Sequence, residues 1–229
     1  MKNKVSCITP TLNVLPKLKI SINCYLGQTH PNKEMLILFY DHDLETKNYL
    51  LSLDKKWCSK NNIRLFHYKN NDDIKLGGVI NFLVSQSKGE YIAIWDSDDW
   101  HSPERLKKQL SAIKRHKKIS CTLHKILIRS EKYKDLRVSN SRLETGWEGT
   151  LLCKKENLYA YENIQSKYDS QLVIHLSDND LNYVLKDFEL YIYNIHTSHN
   201  CSSNEHLDNL YKSSKKTRKD YSYLENIYK

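Results

Sequence analysis

Tyr91-Ile92-Ala93-Ile94-Trp95-Asp96-Ser97-Asp98-Asp99-Trp100 is a run of strand-forming apolar residues that leads straight into three carboxylates. An ionised carboxylate taken out of water without a partner is strongly unfavourable. Three at one strand end also repel one another, and a cation offsets that repulsion. Hard divalent ions such as Mg²⁺ or Mn²⁺ suit carboxylates, and the same ions suit phosphate oxygens. The plainer reading is a solvated acidic turn ahead of a helix, because Asp and Ser are ordinary turn and N-cap residues and Pro103 follows closely. The surrounding chain decides between the two.

Upstream, residues 5–9 read as a short buried strand ended by Pro10, after which Leu15, Leu18, Ile22, Tyr25 and Leu26 recur at helical spacing. Residues 35–40 form a continuous apolar run, as in a parallel strand covered on both faces. One helix is expected through Tyr49, Leu50, Leu53 and Trp57, then a strand at 63–68 and a helix marked by Val79, Ile80, Leu83 and Val84. Leu106, Leu110 and Ile113 mark the next helix, behind Ser102-Pro103-Glu104, with Ser capping and Pro in the first turn. Strand and helix alternate, which predicts an α/β fold with a mixed, mostly parallel sheet flanked by helices. Ligands of such sheets bind beyond the carboxyl ends of the strands. Thr9-Pro10-Thr11, Asp41 and the carboxylates at 96–99 then share one edge.

After residue 120 the pattern weakens. Residues 120–128 read as one strand, 151–153 as another, 170–176 as a helix and 190–195 as a strand. From Leu207 onward, Leu210, Tyr211, Tyr221, Leu224 and Tyr228 lie at helical offsets around the basic run Lys215-Lys216-Thr217-Arg218-Lys219. The expected organisation is one compact domain over 1–206 and a basic amphipathic helical tail over 207–229.

The chain has 229 residues, of which 39% are hydrophobic, enough for a real core. Thirty-six Lys and Arg against 27 Asp and Glu leave a formal charge of +9, which favours anionic partners. The six cysteines show no CxxC spacing, Met1-Lys2-Asn3-Lys4-Val5 is no signal-peptide start, and no apolar run is long enough to span a bilayer. The expected setting is a reducing cytoplasm, with a peripheral contact at the inner membrane face as an option for the basic tail.

Four ordered motifs resemble family 2 glycosyltransferases of the GT-A fold. They are Val5-Ser6-Cys7-Ile8-Thr9-Pro10-Thr11-Leu12-Asn13, Leu26-Gly27-Gln28-Thr29-His30-Pro31-Asn32-Lys33-Glu34, Lys75-Leu76-Gly77-Gly78-Val79-Ile80-Asn81, and the DxD-like block from Gly89 to Trp100 followed by Pro103 and Leu106. The resemblance implies a metal-dependent inverting enzyme that moves a sugar from a nucleoside-diphosphate sugar to a hydroxyl acceptor. It further implies a glycan, lipid-linked or protein hydroxyl as acceptor and cell-surface glycan or glycoconjugate synthesis as the setting. UDP-sugars are the default donor and Mn²⁺ or Mg²⁺ the cofactor.

Carried over by position, Thr9, Pro10 and Thr11 line the nucleotide pocket and Asp41 reaches the base or ribose, with Asp43 as its rival. Lys75, Gly77, Asn81, Asp96 and Ser97 join the nucleotide-sugar contacts, Asp98 holds the metal, and Asp99 is a second ligand or orients the first. The family's late Glu-Asp pair, whose Asp is the general base, is matched by Tyr168-Asp169-Ser170, with Tyr in place of Glu. A base must reach the acceptor hydroxyl within about 3 Å or through one water. At a helix N-terminus the dipole would keep Asp169 ionised. A bare helix cap, or Asp178 or Asp180 as the base, are the competing readings.

Gly146-Trp147-Glu148-Gly149 resembles the acceptor-side segment, with Trp147, Glu148 and Gly149 as contacts, although Trp147 equally suits a core position. Late in the chain, the resemblance puts His196 or His199 on the metal or diphosphate, ahead of a plain surface loop and, last, of a zinc set of His196, His199, Cys201 and His206.

Two other classes compete. A sugar-phosphate nucleotidyltransferase would be expected to carry a Gly-rich phosphate loop after the first strand, where Pro10-Thr11-Leu12-Asn13-Val14 stands instead. A basic nucleic-acid-binding domain fits the charge but lacks a zinc-finger or aromatic RNA-binding signature, so no nucleic-acid partner is expected. The tail is also a candidate homodimer contact.

Overall fold

Val5, Cys7, Met35, Ile37 and Phe39 pack into one buried cluster, while the intervening Ile8, Leu36 and Leu38 pack into another. Successive strand side chains point to opposite faces, so a sheet containing these strands is apolar on both sides and must be covered on both. In the computed structural model, which describes residues 3–69, 74–158, 160–165, 169–196, 203–217 and 221, helices cover them. Along the chain come β1 (Val5–Pro10), α1 (Leu15–Leu26), β2 (Lys33–Tyr40), α2 (Leu44–Ser52), α3 (Lys55–Lys60), β3 (Ile63–Tyr68) and α4 (Leu76–Gln86). Next are β4 (Tyr91–Ile94), β5 (Trp100–His101), α5 (Arg105–Arg115), β6 (Ser120–Leu123), β7 (Leu127–Ser130), β8 (Leu136–Val138) and β9 (Trp147–Lys154). The described chain closes with α6 (Ser170–Asp178), β10 (Asn182–Leu185), β11 (Tyr191–Ile195), α7 (Asn204–Ser213) and β12 (Lys215–Lys216).

Seven strands form the main sheet in the order β10-β6-β9-β4-β1-β2-β3. β1 runs parallel to β2 on one side and to β4 on the other, and β9 is antiparallel to both β4 and β6. The expected mixed, mostly parallel sheet is therefore present. The chain moves outward from β1 to β2 and β3, then returns to place β4 on the opposite flank. That reversal makes the crevice beyond β1 and β4 a topological switch point, where sheets of this kind bind ligands. A second sheet, β12-β8-β7-β11-β5, stands at the same end, and β5 follows the acidic turn directly.

The opposite end is locked by Glu34, which is buried against Lys4 at 3.1 Å and accepts hydrogen bonds from Ser6 Oγ (2.6 Å) and Lys88 N (2.6 Å). Gly89 belongs to this lock, since a Cβ there would stand 2.7 Å from the backbone nitrogen of Ser6. The cysteines at 7, 24, 58, 121 and 153 are buried free thiols.

Several boundaries differ from the sequence reading, each for a local reason. The helix expected through Tyr49 and Trp57 is two helices, because Leu53 is extended and the Asp54 carboxylate caps α3 by accepting from Trp57 N at 2.7 Å. Ser102 does not cap α5, whose first residue is Arg105. The Ser102 carbonyl instead accepts from Arg105 N in the turn before it. Residues 120–128 split into β6 and β7 in different sheets, a change of partner that an apolar run does not announce. The 206/207 division falls inside α7, which starts at Asn204 with Ser203 as its cap. The basic run leaves the helix at Ser214, and Lys215 and Lys216 pair with β8 as a strand. Leu224 and Tyr228 lie outside the described residues. Among those described, no helix is long and apolar enough to cross a membrane.

Candidate active site

β4 ends at Ile94, and the chain turns through Asp96, Ser97, Asp98 and Asp99 before β5 pairs antiparallel with β11. That pairing lays β11 along the turn and gives each carboxylate a different partner. Asp98 Oδ2 accepts from His196 Nε2 at 3.0 Å, and the Asp98 carbonyl accepts from Asn194 Nδ2 at 2.7 Å. His196 is buried, whereas the Asp98 side chain remains about one-quarter exposed at 24%. Asp96 Oδ2 accepts from the Tyr191 hydroxyl at 2.9 Å.

Asp99 departs from the expectation of a second metal ligand. It is fully buried, accepts from Asn194 N at 2.7 Å and is hydrogen-bonded by the Tyr191 hydroxyl. Its carboxylate therefore ties β11 to the turn. Burial first, then the charges of Asp98 and Asp96, push its pKa well above the ordinary range. The same two influences, burial and Asp98, push Asp96 up to about 7.

Beneath the turn lies Arg105, a residue the sequence reading did not single out. It is completely buried, and its guanidinium donates to Ile94 O (3.0 Å), Gly149 O (3.3 Å), Gln109 Oε1 (3.2 Å) and His101 Nδ1 (2.5 Å). It also lies against the rings of Trp95 and Tyr191, at 5.3 and 5.2 Å. His101 accepts on Nδ1, so its proton sits on Nε2 and donates to the Asp96 carbonyl at 3.2 Å. Burial and the neighbouring Arg105 push the His101 pKa well down, which keeps the ring neutral. Arg105 is thus a cation satisfied by neutral acceptors, and its charge is left to offset Asp96 and Asp99. Arg105→Met is expected to destabilise the fold by about 3–5 kcal/mol, the cost of leaving buried charges uncompensated. Urea unfolding measures it. The available signal was an Arg directly after Pro103-Glu104, which reads as an ordinary helix start.

Thr9 and Thr11, at the end of β1, are buried, and among the described residues their hydroxyls have no hydrogen-bond partner. Two such groups at the mouth of the switch crevice are what a polar ligand would satisfy. Pro10 ends β1 between them, and Ser97 is buried in the turn. Asp41 stands at the rim beyond β2, exposed, paired with Lys47 at 3.1 Å and His67 at 3.0 Å, and held below the ordinary carboxylate range first by the Lys47 hydrogen bond. Its rival Asp43 is buried and caps α2, accepting from Thr46 N and Asn13 N, which is a structural role.

Lys75, Gly77 and Asn81 are engaged elsewhere. The Lys75 and Gly77 amides donate to Asn163 Oδ1 and Ile164 O, and the Asn81 side chain exchanges two hydrogen bonds with the Tyr161 backbone. These groups hold the 161–165 segment against α4.

Across the crevice, β9 carries the Trp147-Glu148-Gly149 stretch. Gly149 is packed so close that a Cβ would come within 3.0 Å of Asp96 Oδ2 and 3.2 Å of the Tyr191 hydroxyl. Trp147 is half-buried beneath the Arg142 guanidinium at 3.8 Å, and its indole nitrogen has no partner among the described residues. Asp169 stands at the start of α6 without making a capping hydrogen bond. The amides at the start of α6 do favour its charged form, as expected of a helix N-terminus, but they are outweighed. Burial and then Glu148 push its pKa up to about 6, while the backbone amides of Asp169 and Ser170 and the charge of Arg142 pull the other way. Its charge also acts on Asp96, so the two carboxylates share one environment. Asp178 and Asp180 lie at the far end of α6, and Asp180 is an exposed partner of Lys118.

His199, Cys201 and Tyr168 lie outside the described residues, and His206 is exposed on α7 with its amide donating to Ser203. Among the described residues no group of three or more His, Cys, Asp and Glu side chains is arranged to hold a metal ion by itself.

The fold is shared with solved structures. S. aureus TarS 1-349 in complex with UDP superposes with a TM-score of 0.67 at 20% identity, over 84% of this chain and 60% of that one. The mannosyltransferase PcManGT from Pyrobaculum calidifontis, solved with GDP-Man and Mn²⁺, gives 0.62 at 12% identity over 85% and 57%. The fold is that of the GT-A enzymes. By sequence, an uncharacterized glycosyltransferase of Rickettsia bellii is 32% identical over 196 residues, covering 78% of this chain and 27% of the relative. The putative glycosyltransferase EpsE of Bacillus subtilis is 29% identical over 114 residues, covering 50% and 40%. The chain thus spans between about a quarter and two fifths of the length of these relatives. Residues 6–179, which run from the first strand through the end of α6, match the profile of glycosyl transferase family 2, and the chain belongs to that family.

Proposed function

We propose that this chain transfers a sugar, with inversion, from a nucleoside-diphosphate sugar to a hydroxyl acceptor. The observation that carries the reading is the pair of Asp98 and His196 at the switch-point crevice, with Asp169 near enough for its charge to act on Asp96. A UDP-sugar is the favoured donor, supported by the UDP and UDP-GlcNAc complexes of TarS. A role in surface-glycan synthesis is supported by the likeness to TuaG of Bacillus subtilis, named for teichuronic acid biosynthesis.

Thr9 and Thr11 supply hydroxyls to the nucleotide, and Asp41 and Asp96 face the nucleoside. Asp98 and His196 would hold a divalent ion. An accessible carboxylate beside an imidazole fits Mn²⁺ or Mg²⁺, whose remaining positions are commonly filled by phosphate oxygens and water. When bound, such an ion neutralises charge on the departing diphosphate. Asp169 accepts the proton of the acceptor hydroxyl as that oxygen attacks the anomeric carbon from the face opposite the diphosphate. The acceptor approaches past Trp147 and Gly149. The exposed Lys215 and Lys216 are where an acidic membrane surface would touch.

A thermal-shift screen of nucleoside diphosphates with and without Mn²⁺ tests the donor assignment. Native-state binding at 100 times Kd contributes about 2.7 kcal/mol, a readable shift. The expected result is stabilisation by UDP that depends on Mn²⁺. No response to any nucleoside diphosphate would remove the assignment.

A further inference from the structure

Glu148 lies on β9, yet its carboxylate reaches the first turn of α6. Its Oε1 accepts a long hydrogen bond from Ser170 Oγ at 3.5 Å, and its Oε2 accepts from Arg142 Nη1 at 2.5 Å. Arg142 in turn is held over the Trp147 ring, and its backbone amide donates to His124 O at 2.7 Å. Gly146 N closes the same loop on Arg142 O at 3.0 Å. Arg142 and Glu148 are therefore fixed relative to β9, and Ser170, the neighbour of Asp169, stands at the outer limit of hydrogen-bond reach from Glu148.

We propose that Glu148 and Arg142 are positioning residues for Asp169, a carboxylate–guanidinium couple that anchors the start of α6 and sets the pH at which the base becomes ionised. The proposal rests on the reading of Asp169 as the base. Besides its burial, the groups whose charges and hydrogen bonds act on Asp169 are Glu148 from β9, the Asp169 and Ser170 amides of its own helix, Arg142 from the loop before β9, and Asp96 from the β4–β5 turn. A carboxylate near a carboxylate disfavours ionisation of both, and a guanidinium favours it. Glu148 adds to burial in disfavouring the Asp169 charge, and Arg142 limits that effect by pairing with Glu148. The couple thus keeps the base close to neutral pH, where proton acceptance is most effective. A buried carboxylate left to solvent exchange alone would have no such adjustment.

The direct test needs no acceptor. Protein labelled with ¹³C at the Asp carboxyls is titrated by NMR, with the Asp169 resonance identified by its loss in Asp169→Asn. Glu148→Gln is expected to move the Asp169 midpoint down by roughly half to one pH unit, and Arg142→Gln to move it up by a similar amount. Arg142→Lys, which keeps the charge, is expected to restore most of the wild-type midpoint, and it supplies the charge comparison should the Gln variant fold poorly. Midpoints unmoved by both charge changes, or moved in the reverse sense, would overturn the couple. Turnover of a UDP-sugar by Asp169→Asn is read separately. Retained turnover there removes the base assignment whatever the titration shows, whereas lost turnover with unmoved midpoints removes only the couple.

Discussion

Asp169→Asn is expected to lower sugar-nucleotide turnover by about 10²–10⁴-fold, the usual contribution of a positioned general base, and at the same time to make the protein more stable. The two effects share one cause. Burial and Glu148 push the Asp169 pKa from its ordinary value up to about 6. At pH 7 the native state therefore holds a carboxylate in an environment that resists its charge. The native state binds more protons than the unfolded chain between about pH 4 and 6, so stability falls as pH rises through that window. The deficit is complete above it and absent below the unfolded-state pKa. Asn carries no charge to resist, and after allowance for partial exposure the gain at pH 7–8 is on the order of 1–2 kcal/mol. Melting curves at pH 4 and pH 8 measure this, with the difference between variant and wild type expected only at the higher pH. Activity of the wild type has the complementary sign, declining as pH drops through about 6 because the base becomes protonated. A variant that loses turnover but is also less stable at pH 8 would show that Asp169 is there to hold α6.

Asp98→Asn is expected to reduce turnover by at least about 10²-fold, comparable to removing a group that stabilises developing charge. Asn preserves shape and can still accept a hydrogen bond from His196, and the Asp98 carbonyl keeps its bond from Asn194. The fold should therefore survive, and removing one of three adjacent carboxylates relieves repulsion that acts on both Asp96 and Asp99. The melting temperature is expected to stay level or rise while Mn²⁺ no longer assists UDP binding. Asp99→Asn is expected to behave differently. That carboxylate is internal and joins β11 to the turn, so the substitution acts on stability.

The strand-end part of the candidate site was largely legible in the sequence because each part is local. Apolar runs at 5–9, 35–40 and 91–95 are followed at once by Thr9-Pro10-Thr11, Asp41 and Asp96, and parallel pairing of β1 with β2 and β4 brings those ends together. The three carboxylates also proved to have different partners, which spacing alone does not determine. Asp98 and Asp99 are adjacent in sequence, yet one meets His196 and the other is sealed under Tyr191 and Asn194, because β5 pairs with β11. Arg105 escaped notice since a cation after Pro-Glu looks like a solvated helix residue, and only the burial of α5 against the turn shows otherwise. Lys75, Gly77 and Asn81 follow the family's pattern, but their hydrogen bonds are taken up by the 161–165 segment, a contact between residues about 80 apart. The role of Glu148 was hidden for the same reason, since its partners Arg142 and Ser170 come from separate elements.

On this reading the crevice beyond β1 and β4 holds a nucleoside diphosphate through Asp98, and isothermal titration of UDP into wild type and Asp98→Asn, each with and without Mn²⁺, measures that binding. The prediction is saturable one-site binding by wild type that weakens sharply when Mn²⁺ is omitted, and no Mn²⁺-dependent binding by Asp98→Asn. Equal UDP affinity in all four titrations, or none in any, would contradict it.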